Sequence, residues 1–172
     1  MHPAEIEKCM TTMTVLYDTR EHETPALKRR LDAMPCKNER RCLMSGDYSV
    51  CCVLPDGSEF SLDNKVAIER KMSLDELCGN FTQGRKRFEK EFDRMKESGG
   101  RMYILIENAD WRKVLSGRYR SKFTAKSLTA SILVWCARYN AVPVLCTEYE
   151  APDLIYNILY YELREHLKNH EK

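Results

Sequence analysis

The chain has 172 residues, 43% hydrophobic and 31% charged, with 7 Gly and 6 Pro, which suits one buried core and excludes collagen-like, low-complexity and wholly disordered classes. Its formal charge of +2 is too small to argue for nucleic acid by itself, and no apolar run approaches a membrane span. The first residues carry charge but no apolar stretch of a secretory signal, so a cytoplasmic, reducing location is expected.

The eight cysteines fit that location. Cys51 and Cys52 are adjacent, most others sit in apolar patterns, and no C-x-x-C pair occurs, so they read as reduced core residues rather than disulfides or zinc ligands.

In chain order, residues 1–13 show little pattern and are expected to be a loose N-terminus, with a single domain over 14–172. Thr14 to Asp18 reads as a strand ending in a carboxylate. Thr24 and Pro25 open a helix reaching about Met34. Residues 47–54, the Pro55-Asp56-Gly57 turn and a strand ending at Lys71 read as one long hairpin. Ser73 and Glu76 form a capping box for a short helix.

A further helix runs from about Gly84 to Glu97 with Phe88, Phe92 and Met95 on one stripe. Met102 to Ile106 is a continuous apolar run, as for a central strand. Thr124 to Tyr139 is helical, Ala141 to Cys146 is a strand placed at an edge by Pro143, and Pro152 to Leu167 is the last helix. This order predicts an α/β fold, a central mixed β-sheet flanked by α-helices. The last helix is apolar around nearly its whole circumference, which suits either deep insertion in the core or packing on a second subunit.

Chemistry concentrates in Gly46-Asp47-Tyr48, Glu69-Arg70-Lys71 and Asp75. Strand side chains alternate, so Glu69 and Lys71 share one face and Arg70 the other. The hairpin brings Asp47 across to Glu69. Two neighbouring carboxylates repel, and oxygen ligands of this kind suit Mg²⁺ or Mn²⁺, which keep waters for a substrate and a nucleophile. A lysine beside them can orient such a water, and the set as a whole describes phosphodiester hydrolysis. Asp18, closing the first strand, is a candidate third carboxylate. Gly-Asp is common in turns and Glu-Arg-Lys on solvated faces; only their combination carries the reading. A second signal is the acid-free basic segment between Trp111 and Lys126, although a charge run is more often a solvated face.

Gly46-Asp47-Tyr48, Glu69-Arg70-Lys71 and Asp75 together resemble the GD…ERKxxxD signature of the XPF-type structure-specific nucleases, members of the restriction-endonuclease-like superfamily. Asp18-Thr-Arg-Glu21 resembles that family's early acidic motif, Asn80 to Arg85 its segment after the ERK strand, and Tyr103 to Glu107 its next core strand. The resemblance implies a restriction-endonuclease-like fold. It implies Asp47, Glu69, Asp18 and the backbone carbonyl of Arg70 as ligands of Mg²⁺ or Mn²⁺, with Lys71 positioning the water and Asp75 completing the acidic cluster.

Arg85 and Arg70 would hold DNA phosphates, and Arg112, Lys113, Arg118, Arg120 and Lys122 would track the backbone. The implied activity is metal-dependent endonuclease cleavage of branched, flapped or junction DNA. The alternative is a non-catalytic DNA-binding or scaffold subunit, against which the presence of Asp47, Glu69 and Lys71 speaks. Larger family members add a helix-hairpin-helix module for which this chain has no room, so a stand-alone bacterial or phage-type nuclease domain is expected. Pairing of family domains through C-terminal helices implies a homodimer through Leu154, Ile158 and Tyr161.

Overall fold

The computed structural model describes residues 1–170; Glu171 and Lys172, the end of the expected domain, lie outside them. The elements are α1 (Pro3–Thr11), β1 (Thr14–Asp18), α2 (Pro25–Asp32), β2 (Lys37–Arg41), β3 (Tyr48–Val53), β4 (Glu59–Ser61) and β5 (Val66–Lys71). They continue with α3 (Leu74–Phe81), α4 (Arg85–Glu97), β6 (Arg101–Glu107), α5 (Trp111–Ser116), α6 (Ala125–Tyr139), β7 (Val142–Cys146) and α7 (Ala151–Lys168).

The seven strands form one mixed sheet in the order β2-β1-β3-β5-β6-β7, with β4 on the far half of β3. β5, β6 and β7 run parallel, whereas β3 is antiparallel to β1, β4 and β5. On one face α1, α2 and α7 cover Val15, Val50, Ile68 and Leu105. On the other, α3, α4 and α6 cover Ala67, Met102, Ile104 and Ile106 around Trp135. This is the α/β architecture expected, a mixed sheet between helical layers. Among the described residues no helix is long and apolar enough to cross a membrane.

Local signals place most elements well. Thr24 and Thr124 accept hydrogen bonds from the amides of Leu27 and Ser127, 3.1 and 3.2 Å away, as N-caps do. Ser73 caps α3, but Glu76 reaches back to the amide of Met72 rather than of Ser73.

Two expectations need correction, and two elements had no forecast. Residues 1–13 are not loose: Pro3–Thr11 is a helix capped by His2 that buries Ile6, Cys9 and Met10. The i, i+3, i+4 spacing was present, but Cys and Met are weak apolar markers. The hairpin over 47–71 is split, because β4 pairs only the distal part of β3 while β5 meets it in register at Tyr48 and Ile68. β2, Lys-Asn-Glu-Arg-Arg, is an edge strand with no apolar residue, and α5 lies inside the basic segment; neither was anticipated.

Finally, the apolar excess of α7 is consumed within the chain. Ala151, Ile155, Leu159, Leu163 and Leu167 are fully buried, Leu154 and Ile158 pack on the same core, and Tyr161 stays exposed.

Candidate active site

The site forms where β3 begins and β5 ends. Gly46 turns the chain into β3 at φ 72°, and a Cβ there would stand 3.0 Å from both the Ala67 side chain and the Ile68 carbonyl oxygen. Glycine is required on both counts. The turn sets Asp47 against β5: its amide donates to the Ile68 carbonyl (2.8 Å), and its Oδ2 accepts from the Arg70 amide (2.7 Å). A carboxylate oxygen thus takes the place of a carbonyl in the β3–β5 ladder.

Strand alternation puts Glu69 and Lys71 on one face of β5, both buried, with Lys71 Nζ 2.6 Å from Glu69 Oε1. The ammonium also lies 3.8 Å from Glu76 and 5.3 Å from the centre of the Phe88 ring. Burial pushes the Asp47 carboxyl up to about 7, against the pull of Lys71 and helped by the charge of Glu21. Burial, and then the charge of Asp47, pushes Glu69 up to about 8. Burial works against charge on Lys71, but the facing carboxylates prevail and raise it. The pair therefore resists double ionisation while the lysine keeps its proton.

The acids around this pair differ from those expected. Asp18 is buried, but its side chain is spent: Oδ1 accepts from the amide and Nε of Arg20 (2.7 and 2.6 Å), and Oδ2 from the amide of Leu43 (2.8 Å). Burial pushes its carboxyl up, yet these bonds outweigh it and hold it below the usual range. Asp75 sits in the first turn of α3, where its Oδ1 accepts from the amides of Arg120 and Ser121 (2.8 and 2.7 Å) and pins that loop. Neither joins the carboxylate pair.

Glu21 acts on Asp47, and buried Glu91 of α4 acts on both carboxylates. Glu91 was missed because it lies in a charged helical stretch; its place beside the Phe88–Phe92 stripe is the signal that could have found it.

The cations also divide. The Arg70 side chain leaves the site for the opposite face, where Nε and Nη2 each lie 2.6 Å from the two oxygens of Glu107. Arg30, buried, lies 3.7 Å from the same carboxylate and donates to the Tyr48 hydroxyl at 2.7 Å. The expected phosphate contact of the Arg70 side chain is thus corrected: this guanidinium locks β5 to β6. Arg85 opens α4, pairs with Glu89 (3.1 Å) and lies 5.1 Å from the Trp135 ring. Arg112, Arg118, Arg120 and Lys122 are exposed, and Lys113 is tied to the Asn108 carbonyl at 2.8 Å. Their segment follows β6 at the sheet end where Lys71 closes β5.

No three His, Cys, Asp or Glu side chains among the described residues converge as a metal cluster. The side-chain donors are the pair Asp47 and Glu69, each with one oxygen left over from the bonds to Arg70 and Lys71. This donor set fits Mg²⁺ or Mn²⁺, which are held through one or two carboxylates and retain water. The mutual repulsion of the pair is what such a cation relieves.

A mixed sheet between helical layers, with an acid pair and a lysine at the β3–β5 junction, defines the restriction-endonuclease-like class. Within it, the model of the ERCC4 domain matches residues 17–168. The chain belongs to the ERCC4 domain family and carries an XPF-type nuclease domain. Among solved structures it is similar to XPF from Aeropyrum pernix, with TM-score 0.62 and 19% identity over 86% of this chain and 65% of that one. It is also similar to that protein in complex with DNA, with TM-score 0.59 and 19% identity over 92% of this chain and 67% of that one. The chain therefore spans about two thirds of the length of these proteins, and at this identity the likeness concerns the fold. No curated protein matches.

Proposed function

We propose that the chain is a divalent-metal-dependent endonuclease that hydrolyses DNA phosphodiesters at branched, flapped or junction structures. The observation that carries this reading is half-buried Asp47 beside buried Glu69 at the β3–β5 junction, with the Lys71 ammonium 2.6 Å from Glu69. Membership of the ERCC4 domain family supports it, as does the DNA in one of the similar structures.

Asp47 and Glu69 would hold Mg²⁺ or Mn²⁺, with the Arg70 carbonyl as a further oxygen donor. The ion, when bound, supplies a water of lowered pKa and a positive charge for the phosphate oxygens. Lys71, kept protonated by the carboxylates around it, orients the attacking water and donates to the charge that builds on the phosphorus oxygens. The hydrogen bond from the Arg70 amide fixes the Asp47 carboxylate, and the Glu107 clamp on the Arg70 side chain fixes that amide from behind.

The test is incubation of the purified protein with Mg²⁺ or Mn²⁺ and labelled flap, fork, Holliday-junction and plain duplex DNAs. Cleavage of the branched substrates that is lost in Asp47→Asn and Glu69→Gln is expected. Binding without cleavage in either metal would replace the enzyme by a non-catalytic DNA-binding subunit. Pairing of two copies through α7 belongs to the same proposal and is supported by Tyr161, which stays exposed on that helix beside half-buried Leu154 and Ile158. Light scattering that gives a monomer at all concentrations removes it.

A further inference from the structure

The basic segment singled out in the sequence lies after β6, but the structure reveals a second cationic surface on α4. At 100° per residue, Lys86, Lys90, Arg94 and Arg87 fall within about 100° of the helix circumference, and Glu91 comes next on the same side. With Arg20 these five residues line a cleft of about 450 Å³.

The cleft is built into the site's framework. Arg94 Nε donates to the Met44 carbonyl (3.0 Å), and Ser45 Oγ donates to the Glu91 carbonyl (3.0 Å), so α4 is bound to the segment that turns into Asp47. The Arg20 guanidinium joins Asp18 (2.6 Å) to Glu91 (3.4 Å) and reaches the Gly46 carbonyl at 3.5 Å. Glu91, which faces the cleft, also acts on Asp47 and Glu69. The cleft therefore opens next to the carboxylate pair.

Three of its cations lack partners. Arg85, on the other side of the same helix, has its i, i+4 partner Glu89. Lys86, Arg87 and Lys90 are exposed, and none makes a side-chain hydrogen bond or ion pair among the described residues. At the same 100° per residue Glu97 falls inside this arc and Asp93 about 20° outside it, yet neither pairs with Lys86, Arg87 or Lys90, so these three cations repel one another with only solvent and salt to screen them. The regularly spaced phosphates of a strand leading to the candidate site would relieve that repulsion.

We propose that the Lys86–Arg87–Lys90–Arg94 cleft binds the phosphate backbone of the DNA strand that runs through the candidate active site. The inference rests on the nuclease reading and names where its substrate lies. It is tested in metal-free buffer, where no cleavage intervenes, by measuring affinity for a labelled fork against salt concentration. The unaltered protein is compared with Lys86→Gln/Arg87→Gln/Lys90→Gln, three exposed positions, with circular dichroism to verify the fold.

Loss of three phosphate contacts should weaken binding by about one to three orders of magnitude near 0.1 M salt and flatten the log–log salt slope by about two to three. An unaltered protein that binds the fork, with a variant of equal affinity and slope, overturns the cleft and leaves the nuclease reading standing. An unaltered protein that does not bind DNA overturns both. The set Arg112→Gln/Arg118→Gln/Arg120→Gln, measured alongside, ranks the two surfaces; a larger loss from that set together with no loss from the α4 set also refutes the proposal.

Discussion

At the residue scale, two carboxyls are held away from water and close to each other, and the consequence is a pH dependence of definite sign. An unfolded chain releases these protons near pH 4, whereas the folded chain holds them until about 7 at Asp47 and about 8 at Glu69. The folded state therefore binds more protons over that interval, and its stability falls as pH rises through it. Without metal, the thermal midpoint is expected to drop between about pH 5 and 8. Added Mg²⁺ or Mn²⁺ should raise it more at pH 8 than at pH 6, since protons compete with the ion. Asp47→Asn and Glu69→Gln should flatten this profile and raise the metal-free midpoint at pH 8 while abolishing cleavage. A profile that rises with pH would contradict the arrangement. Alternation in a strand was enough to read Glu69 and Lys71 as neighbours; that Asp18 is consumed by Arg20 and Leu43 depends on loop hydrogen bonds that no periodicity encodes.

At the scale of elements, the turn at Gly46 and the helix α1 make opposite points about what sequence reveals. Gly46→Ala imposes both a positive φ and a 3.0 Å approach to β5, for an expected loss of about 1–3 kcal/mol in urea unfolding and a displaced Asp47 that cuts cleavage further. Gly57, also at positive φ but with nothing within 4 Å of an added Cβ, should cost only the strain, about 1–2 kcal/mol, and leave cleavage unchanged. The Gly-Asp pair was visible in the sequence, whereas α1 was not. Ile6→Ala, within the core shared with α7, is expected to cost about 2–5 kcal/mol by the same measurement; a loose N-terminus would lose nothing. β2 escaped for a different reason: an exposed edge strand paired on one side has no need of apolar residues, so its pattern carries no signal.

At the scale of the whole molecule, the sheet consists of two portions, β2-β1-β3-β4 and β5-β6-β7, that meet in register at Tyr48 and Ile68. The Arg30–Glu107–Arg70 group, with Arg30 and Glu107 buried and Arg70 half-buried, spans that junction from α2 to β6. Removing its shared acid leaves two cations, one of them buried, without a counter-charge. Glu107→Ala is therefore expected to cost about 3–5 kcal/mol, read as a lower urea midpoint. The layered order of helices and strands could be read from the chain because each element is long and periodic; the junction could not, because it depends on which residues of β3 and β5 actually meet. One of its stitches is the bond from the Arg70 amide to Asp47 Oδ2. That single proton is a gauge wired to the Asp47 carboxylate. Its NMR shift and exchange rate should register an arriving cation directly, before any substrate is cut, and so report occupancy in a protein that has been given nothing to cleave.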